Sequence, residues 1–520
     1  MKNFQFINKW HIAVAIGLLL IMFVIEFTSA NLESQTYDEG MHITAGYQHL
    51  MDKKIILNPE HPPLIKLLSA IFIAPLKPNL PNMGDLPQLE YSRKFMQQSG
   101  NNVDKILLYG RLPIMLLSIL MGWIIFVWAK QLAGIKAGLF ALILYVFDPN
   151  ILAHSRYITT DIGVSLAFLA TFYFFYRYSI HKSIYNLLSL AIVFSLAQLT
   201  KFSTLMLAPL IFGFALFAKL KIKKYLLLIL LCCLFTFLLI IIFYCGDLNT
   251  YKFGLEKLQN HEQVGHVAYL LGNISQFGFW YYFPLTFIFK TPLLTIVLLI
   301  LAIIIFLRKF FSKLALINKK QNIIKKISAA IKIITLAEWM IIIFPIFYMV
   351  VSMINHINIG VRHILPIYPF IFIFIAINIF GNNFNPWHNK IKILSICLIF
   401  LYAINSLLVY PEYLSYFSRI IGNSSNGYKY LLDSNVDWGQ NLKKLKKYLD
   451  DNNIKDPIVL CYFGTGDPNY YKINNLPMEG QKKGWIAISI QHIIMLPKYQ
   501  WFLSYEPIAK IGNGIYLYKL

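Results

Sequence analysis

Two adjacent carboxylates lie directly after the first long apolar stretch of the chain. Asp38 and Glu39 stand in the segment 36–42, which also contains His42. An ionised aspartate accepts a proton from a hydroxyl nucleophile, so Asp38 is a candidate general base. Two carboxylates at the beginning of a helix also stabilise its N-terminus through the helix dipole, and the motif alone leaves both interpretations open.

A second polar group occupies the turn 148–161, between two later apolar segments. It contains His154, Arg156 and Asp161, and Asp161 falls just inside the following apolar run. Ionisable groups in or beside a membrane span are costly and usually face a cavity or a partner. A structural ion pair between Asp161 and Arg156 is the alternative to a functional role.

Basic residues at the outer ends of predicted spans form the most informative pattern. The set comprises Arg111, Lys201, Lys290 and Arg362, with His363 directly after Arg362. Snorkelling to lipid headgroups explains any one of them. Arg binds phosphate through two donors and Lys as a point charge. Together they predict an anion at the outer membrane surface, and a lipid-linked phosphate suits that place.

The dipeptide Pro62-Pro63 begins a short apolar segment and is flanked by His61 and Lys66. Proline is favoured in the first turn of a helix, so a helix start explains the two prolines without a function. His61 and Lys66 are either surface polar groups or part of the anion site. A divalent cation is a further option, with Asp38, Glu39, His42, His61 and Asp161 as its ligands. The sequence contains no zinc-protease, ATP-binding or dinucleotide-binding motif.

The elements that position these residues are predicted to be membrane helices. Hydrophobic residues make up 57% of the 520-residue chain and charged residues only 14%, against roughly 25% charged in soluble proteins. This composition excludes a soluble globular protein and a disordered one. The net charge of +23 is explained by basic inner loops of a membrane protein without any nucleic acid.

Apolar runs long enough to cross a bilayer predict about eleven transmembrane helices. Their approximate ranges are 12–30, 107–129, 134–150, 159–177, 184–200, 202–219, 225–245, 291–307, 333–354, 364–380 and 393–411. Alternate loops on one side hold 20 of the 47 Lys and Arg residues and no Asp or Glu. The positive-inside rule makes that side cytoplasmic, with the N-terminus inside and the C-terminal segment outside.

The chain divides into a membrane domain, 1–411, and a small soluble α/β domain, 412–520. The membrane domain carries a long first outer loop, 31–106, in which 37–50 and 64–76 have the spacing of helices that lie at the membrane surface. In the C-terminal domain the pattern predicts a helix over 437–449 and strands over 457–463, 485–490 and 514–518.

An ordered series of motifs resembles membrane glycosyltransferases of the GT-C type. It is most similar to the family 39-like bacterial relatives of protein O-mannosyltransferases and lipid A aminoarabinose transferases. The motifs are Tyr37-Asp38-Glu39, Asn58-Pro59-Glu60-His61-Pro62-Pro63, Arg111-Leu112-Pro113, Thr160-Asp161, Lys201-Phe202-Ser203, Lys290-Thr291-Pro292, Gly360-Val361-Arg362-His363 and Asp433 to Gln440. The series covers nearly the whole chain. The resemblance implies a GT-C fold in a bacterial plasma (inner) membrane.

The resemblance further implies an inverting transfer of one sugar from a polyprenyl-phosphate donor to an acceptor on the outer face of the membrane. The acceptor is a glycan, a lipid or a protein, and no cofactor is required. Asp38 would be the general base with Glu39 beside it, and Asp161 would orient the acceptor or the first loop. The alternative is a transporter of lipid-linked sugars that forms no glycosidic bond. No motif reports which sugar or which acceptor is used.

The resemblance also assigns the remaining polar residues. The donor phosphate would be bound by Arg111, Lys201 and Arg362, with His363, His61, Lys66 and Lys290 as further candidates, and His42 and His154 would orient the acceptor or the loop. The lipid A transferases carry a lysine directly before Pro-Pro, whereas this chain has His61. That departure leaves the phosphate role of this position open.

Overall fold

The computed structural model describes residues 9–315, 332–381, 386–478 and 483–520. Helices form the membrane part of these ranges. They are α1 (Trp10–Asn31), α2 (Glu39–Asp52), α3 (Leu64–Ile73), α4 (Gln88–Arg93), α5 (Val103–Ala133), α6 (Ile135–Val146), α7 (Pro149–His154), α8 (Asp161–Ile180), α9 (Ile184–Gln198), α10 (Leu207–Phe217), α11 (Ile222–Phe243), α12 (Leu248–Val264), α13 (Tyr282–Lys290), α14 (Leu293–Ala315), α15 (Leu336–Ile354), α16 (Tyr368–Phe380) and α17 (Pro386–Leu407). A hairpin of β1 (Ala268–Leu270) and β2 (Asn273–Ser275) separates α12 from α13.

Seven helices in the described ranges are long and apolar enough to cross a membrane, which makes the chain a multi-pass membrane protein. They are α1, α5, α11, α14, α15, the segment Val361–Phe380 that ends in α16, and Asn389–Leu407 of α17. The predicted number of eleven is therefore not confirmed. At the other four predicted positions lie α6, α8, α9 and α10, of which α6, α9 and α10 are short apolar helices. A helix rises about 1.5 Å per residue, so the 12 residues of α6 are too few to span a bilayer alone.

The core of the membrane domain lies where α5, α8, α15 and α16 meet. Aromatic rings fill this region, and Phe344 lies 4.5 Å from Phe370 and 4.8 Å from Phe168 between ring centroids. Such ring pairs add specific geometry to the burial of large apolar surfaces. By contrast, most side chains of α11 are exposed or half-exposed, as expected of a helix that faces lipid.

The first loop contains the two predicted helices, now α2 and α3, and they pack against each other. Gly46 makes this approach possible, because a Cβ atom there would lie 2.2 Å from the carbonyl oxygen of Lys66. Most of α2 from Glu39 to His49 is buried. The loop is therefore a packed part of the membrane domain, and it holds Asp38 in a fixed position before α2.

The C-terminal part forms the predicted small α/β unit. Its elements are α18 (Leu442–Asp451), β3 (Ile458–Cys461), β4 (Asn475–Pro477), β5 (Trp485–Ser489), α19 (Ile490–Met495), β6 (Ala509–Ile511) and β7 (Ile515–Lys519). The strand order is β4-β3-β5-β7-β6, with β3 parallel to both neighbours and β7 antiparallel to both of its own.

The helix of this unit begins at Leu442 rather than at the predicted residue 437. It buries Leu442, Leu445 and Leu449 against the sheet, in the one-face spacing of an amphipathic helix. The residues before it, 433–441, form a 3₁₀ turn over Asp433–Asn435 and no α-helix, and they pack against the membrane domain. We call the side of the membrane domain on which this unit packs the tail side.

Candidate functional site

Four charged side chains form a continuous chain of ion pairs on the tail side. Arg362 Nη1 lies 2.9 Å from Asp38 Oδ2 and 3.8 Å from Asp161 Oδ2. Lys201 Nζ lies 3.0 Å from Asp161 Oδ1, and the Thr159 hydroxyl donates to Asp161 Oδ2 over 3.1 Å. We call Asp38, Asp161, Lys201 and Arg362 the charged cluster.

The cluster is assembled from four elements that are distant in the chain. Asp38 precedes α2, Asp161 is the first residue of α8, Lys201 lies between α9 and α10, and Arg362 lies in a short 3₁₀ segment before α16. Asp38 is 30% exposed, Lys201 20%, Arg362 10% and Asp161 only 1%. Three of the groups can therefore meet a ligand, while Asp161 lies beneath and aligns the two cations.

Two histidines lie next to the cluster and are neutral. The ring centroids of His42 and His61 are 5.0 Å apart. Burial lowers the pKa of His42 to about 4 and the pKa of His61 well below its ordinary value. His61 therefore offers a hydrogen-bonding ring to a phosphate and not a positive charge. The Nδ1 atoms of both rings have no hydrogen-bond partner within the described part of the chain.

Glu39 and Arg111 form a buried pair beneath the cluster. Arg111 donates from Nε to Glu39 Oε1 over 2.8 Å and from Nη2 to Oε2 over 2.7 Å. Glu39 also accepts the backbone N–H groups of Thr36 and Ile158. Burial by itself raises the pKa of Glu39, but the Arg111 guanidinium and these hydrogen bonds hold it below its usual value.

The resemblance implied that Arg111 binds the donor phosphate and that Glu39 lies beside the general base. The structure instead pairs these two side chains with each other. Both side chains are almost completely buried, and the remaining Arg111 donors bond the backbone carbonyls of Ala30 and Ser34. Neither the Glu39 carboxylate nor the Arg111 guanidinium faces the space that the charged cluster borders. They connect the end of α1, the start of α2 and the turn before α8.

Two of the predicted phosphate-binding lysines are bound to backbone carbonyls. Lys66 Nζ donates to the Asn58 carbonyl over 2.6 Å, and burial lowers its pKa to about 7. Lys290 Nζ donates to the carbonyls of Leu414 and Asn435, each over 2.9 Å, and burial lowers its pKa well below the ordinary value. The structure does not bring either ammonium group into the charged cluster.

The remaining sequence candidates lie around the cluster. His363 follows Arg362, is half-buried and has its ring 6.2 Å from that of Phe283. His154 is buried, with its ring centroid 6.1 Å from that of Trp438. The alternative pairing of Asp161 with Arg156 is wrong, because Arg156 Nη2 bonds Glu33 Oε1 over 3.0 Å.

The sequence suggested no role for the motif 433–440. In the structure this motif contacts Arg362 and the residues directly before Asp38 and Arg362. The Arg362 guanidinium lies 4.2 Å above the Trp438 ring, a cation–π contact. The Trp438 carbonyl accepts the Tyr37 N–H over 2.7 Å, and Asn435 Oδ1 accepts the Val361 N–H over 3.0 Å. The sequence signal was present in the motif itself, but its partners are more than 70 residues away.

The carboxylate of Glu33 was also missed. It is buried and accepts from Arg156, from the Tyr157 hydroxyl over 2.8 Å and from Lys444 over 3.4 Å. It therefore links the end of α1 both to the turn 155–158 and to α18. A single acidic residue after an apolar run gives no signal of such a network.

An apolar cavity of about 630 Å³ lies between α3, α5, α8 and α9, and none of the four cluster residues lines it. Thr200, directly before Lys201, lines one end and Arg177, near the other end of α8, lines the opposite one. Leucine, alanine and aromatic side chains such as Trp123 and Phe174 line the space between them. We call this cavity the apolar groove.

No group of three or more His, Cys, Asp and Glu side chains that could hold a metal ion occurs in the described ranges. Of the five residues considered for a cation site, Glu39 is bound to Arg111, and Asp38 and Asp161 are each paired with a cation. The described residues of this set therefore do not come together as a group of cation ligands.

The comparisons with known proteins agree with the motifs. Residues 97–243 match the model of the dolichyl-phosphate-mannose-protein mannosyltransferase family. The family resemblance predicted from the motifs is thereby confirmed over α5 to α11, which include Asp161 and Lys201. No curated protein matches the chain.

Among solved structures, ArnT from Cupriavidus metallidurans bound to undecaprenyl phosphate is similar, with 10% identity, 98% of each chain covered and a TM-score of 0.49. The archaeal oligosaccharyltransferase AglB from Archaeoglobus fulgidus, in complex with an inhibitory peptide and a dolichol-phosphate, has 10% identity, 94% and 70% of the two chains covered and a TM-score of 0.48. The Pmt1-Pmt2 protein O-mannosyltransferase complex of S. cerevisiae bound to its sugar donor has 16% identity, covers 47% and 34%, and has a TM-score of 0.35.

Proposed function

We propose that this protein is an inverting glycosyltransferase. It moves one sugar from a polyprenyl-phosphate-linked donor to an acceptor hydroxyl of an envelope glycan, lipid or protein. The observation that carries the proposal is the charged cluster beside the apolar groove, which Thr200, the neighbour of Lys201 in the chain, lines. A lipid-linked phosphate needs an apolar channel and cations close together. The proposal includes a GT-C fold in the bacterial plasma membrane, with the N-terminus cytoplasmic and the tail side outside.

The donor is proposed to bind with its isoprenoid chain in the apolar groove and its phosphate at Lys201 and Arg362. Both cations are partly exposed and both point at Asp161. Since Thr200 lines the groove beside Lys201, a chain in the groove delivers its phosphate to the cluster. Arg binds phosphate oxygens through two parallel donors and Lys adds a point charge.

Asp38 is proposed to accept the proton of the acceptor hydroxyl. The acceptor oxygen forms a bond to the anomeric carbon on the face opposite the phosphate, and the bond from that carbon to the phosphate oxygen breaks. The electron pair of that bond leaves with the phosphate and the hydroxyl proton moves to Asp38, so the configuration inverts. The products are the new glycoside and polyprenyl phosphate.

Lys201 and Arg362 are proposed to accelerate this step. Negative charge grows on the phosphate as the glycosidic bond breaks, and fixed cations stabilise the transition state more than the ground state. The proposed reaction uses no cofactor, since the positive charge comes from these two side chains. Glu39 and Arg111 are proposed to hold the first loop, and with it Asp38, in place.

The test uses the purified full-length chain in nanodiscs with a panel of labelled polyprenyl phosphate sugars. Release of polyprenyl phosphate is measured, and Asp38→Asn should reduce it by at least about 100-fold, the usual contribution of a general base. Asp85→Asn, an exposed aspartate of the same loop, is the matched control and should retain activity.

Two outcomes would contradict the proposal. Full activity of Asp38→Asn would remove Asp38 as the base. Transfer of intact donor across the bilayer of proteoliposomes, with no sugar released in any mixture of donors and acceptors, would indicate a transporter instead. Masses of surface glycans and glycoproteins from cells with and without the protein would identify the acceptor.

A further inference from the structure

A second cavity of about 650 Å³ lies between the tail-side ends of α14 and α17 and the segment 409–424. It shares no lining residue with the apolar groove, and none of the four cluster residues lines it. It is therefore a separate space, at the level where the membrane helices end. We call it the Arg419 cavity.

The membrane-facing wall of the Arg419 cavity is apolar. Leu293 and Leu294 of α14, Leu401 of α17 and Leu408, directly after α17, line it. Leu401 is 53% exposed and Leu408 is 74% exposed. Because these side chains belong to the ends of membrane spans, the cavity opens toward lipid, and a hydrocarbon chain can enter it from the side.

The opposite wall is polar and carries one cation. Arg419, Asn423 and Ser424 line it. Arg419 is exposed, and no carboxylate of the described ranges lies within 4 Å of its guanidinium. An exposed arginine on this side, beside an apolar wall, provides two free donors for an anion.

Three buried hydroxyl-bearing side chains, Tyr402, Ser406 and Tyr416, also line the Arg419 cavity, and the Tyr402 hydroxyl donates to the Leu144 carbonyl. Ser406 is 2% exposed, and its Oγ has no hydrogen-bond partner within the described residues. Tyr416 is 9% exposed, and burial raises the pKa of its hydroxyl, which therefore remains a donor at neutral pH. Buried polar atoms normally find a partner, so an unpartnered hydroxyl in a cavity wall indicates a missing polar ligand.

We propose that the Arg419 cavity binds an anionic phospholipid of the leaflet on the tail side, with its phosphate group at Arg419 and an acyl chain against α14 and α17. The apolar wall, the free cation and the unpartnered Ser406 hydroxyl match the two parts of such a lipid. A bound lipid also supports the segment 409–424. Within that segment, Phe417 lines the cavity and lies 4.5 Å from Lys290 Nζ.

The test measures lipid binding to the purified full-length protein by native mass spectrometry. Dioleoylphosphatidylglycerol is the anionic probe and dioleoylphosphatidylcholine the zwitterionic comparison. Phosphatidylglycerol should bind more tightly, and Arg419→Gln should weaken it about tenfold, as for the loss of one charged hydrogen-bond group. Arg93→Gln, another exposed arginine of the same side, is the control and should bind the lipid as the parent chain does.

A photoreactive acyl chain on phosphatidylglycerol locates the site independently of the charge. Labelling should fall within 401–409 or 293–294 and should decrease in Arg419→Gln. Equal binding of both lipids that is insensitive to Arg419→Gln would overturn the proposal, as would labelling confined to other helices. Displacement of phosphatidylglycerol by millimolar inorganic phosphate, with no labelling of α14 or α17, would make the ligand a free anion and would also overturn it.

Discussion

Arg362 Nη1 donates to Asp38 Oδ2 over 2.9 Å, although 324 residues separate the two in the chain. The proposed phosphate ligand and the proposed base are thus paired with each other. We expect a donor phosphate to compete with Asp38 for the guanidinium, so that binding of the donor also frees the carboxylate to accept a proton.

This pairing predicts opposite effects of Asp38→Asn on binding and on turnover. Removal of the carboxylate charge leaves Arg362 available to the phosphate, so the affinity for polyprenyl phosphate should rise about fivefold, equivalent to about 1 kcal/mol, while turnover is lost. Equilibrium binding of labelled polyprenyl phosphate checks the first part. A weaker affinity would show that Asp38 supports the phosphate site rather than competing with it.

The two partly exposed cations of the cluster, Lys201 and Arg362, should bind the phosphate with different geometry. Lys201→Ala and Arg362→Ala should each reduce kcat/KM by about 100-fold. Each substitution removes a cation from the proposed phosphate site and leaves the Asp161 carboxylate with one cation fewer. Arg362→Lys should remain strongly impaired, since one ammonium cannot replace two parallel donors. Steady-state release of polyprenyl phosphate measures this. Lys252→Ala, a 78% exposed lysine of α12, is the control, and a loss of equal size there would remove the assignment.

The intact Glu39–Arg111 pair should contribute to the stability of the folded protein. Removal of one partner of a buried ion pair leaves an uncompensated charge and costs about 3–5 kcal/mol. Arg111→Leu should therefore lower the Tm strongly, and the double variant Arg111→Leu with Glu39→Leu should recover a large part of the loss. Thermal unfolding of the detergent-solubilised protein checks this. If the double variant is less stable than Arg111→Leu alone, the uncompensated charge of Glu39 is not the cause of the loss.

The sequence identified the four cluster residues because each combines a charge with the end of an apolar run, a position that a membrane protein fills only at a cost. It could not separate them from Arg111, Lys66 and Lys290, which share that feature. The difference lies in what surrounds each side chain. Lys66 and Lys290 meet backbone carbonyls, and those of Lys290 come from residues more than 120 positions away. Such partners depend on tertiary packing, which residue type and spacing do not report.

The helix count shows the same limit. Hydropathy located helices at all eleven positions, but length alone did not distinguish a full span from a shorter segment such as α6 or α9. The fold class was predictable because composition and charge asymmetry act over the whole chain. The packing of the motif 433–440 against Arg362, Val361 and Tyr37 was not predictable, because it depends on contacts between residues more than 70 positions apart.

Burial of His42 should make the protein sensitive to acid. Its charged neighbours are Asp38, Lys66, Asp161 and Arg362, two of each sign, and burial is the dominant effect, which lowers its pKa to about 4. The unfolded chain binds a proton near pH 6.5, so stability is complete above that value and falls between pH 6.5 and 4. The loss is on the order of 3 kcal/mol at pH 4.

Unfolding at a series of pH values tests this for His42→Asn. The variant should lose less stability between pH 6.5 and 4 than the parent chain, whereas His356→Asn, at an exposed position, should follow the parent curve. Parallel curves for His42→Asn and the parent would show that other groups cause the acid sensitivity, with His61, whose pKa is also lowered, as the next candidate.

Trp438 should act as a positioning residue for Arg362. Its ring lies 4.2 Å from the guanidinium, and cation–π contacts contribute about 1–2 kcal/mol when they are shielded from water. Trp438→Leu should therefore reduce kcat about tenfold, and Trp438→Phe should restore part of the loss because an aromatic face remains. A residue that only stabilises the fold would lower Tm and leave kcat per folded molecule unchanged. Equal kcat in Trp438→Leu and Trp438→Phe, each corrected for the folded fraction, would contradict a role through Arg362.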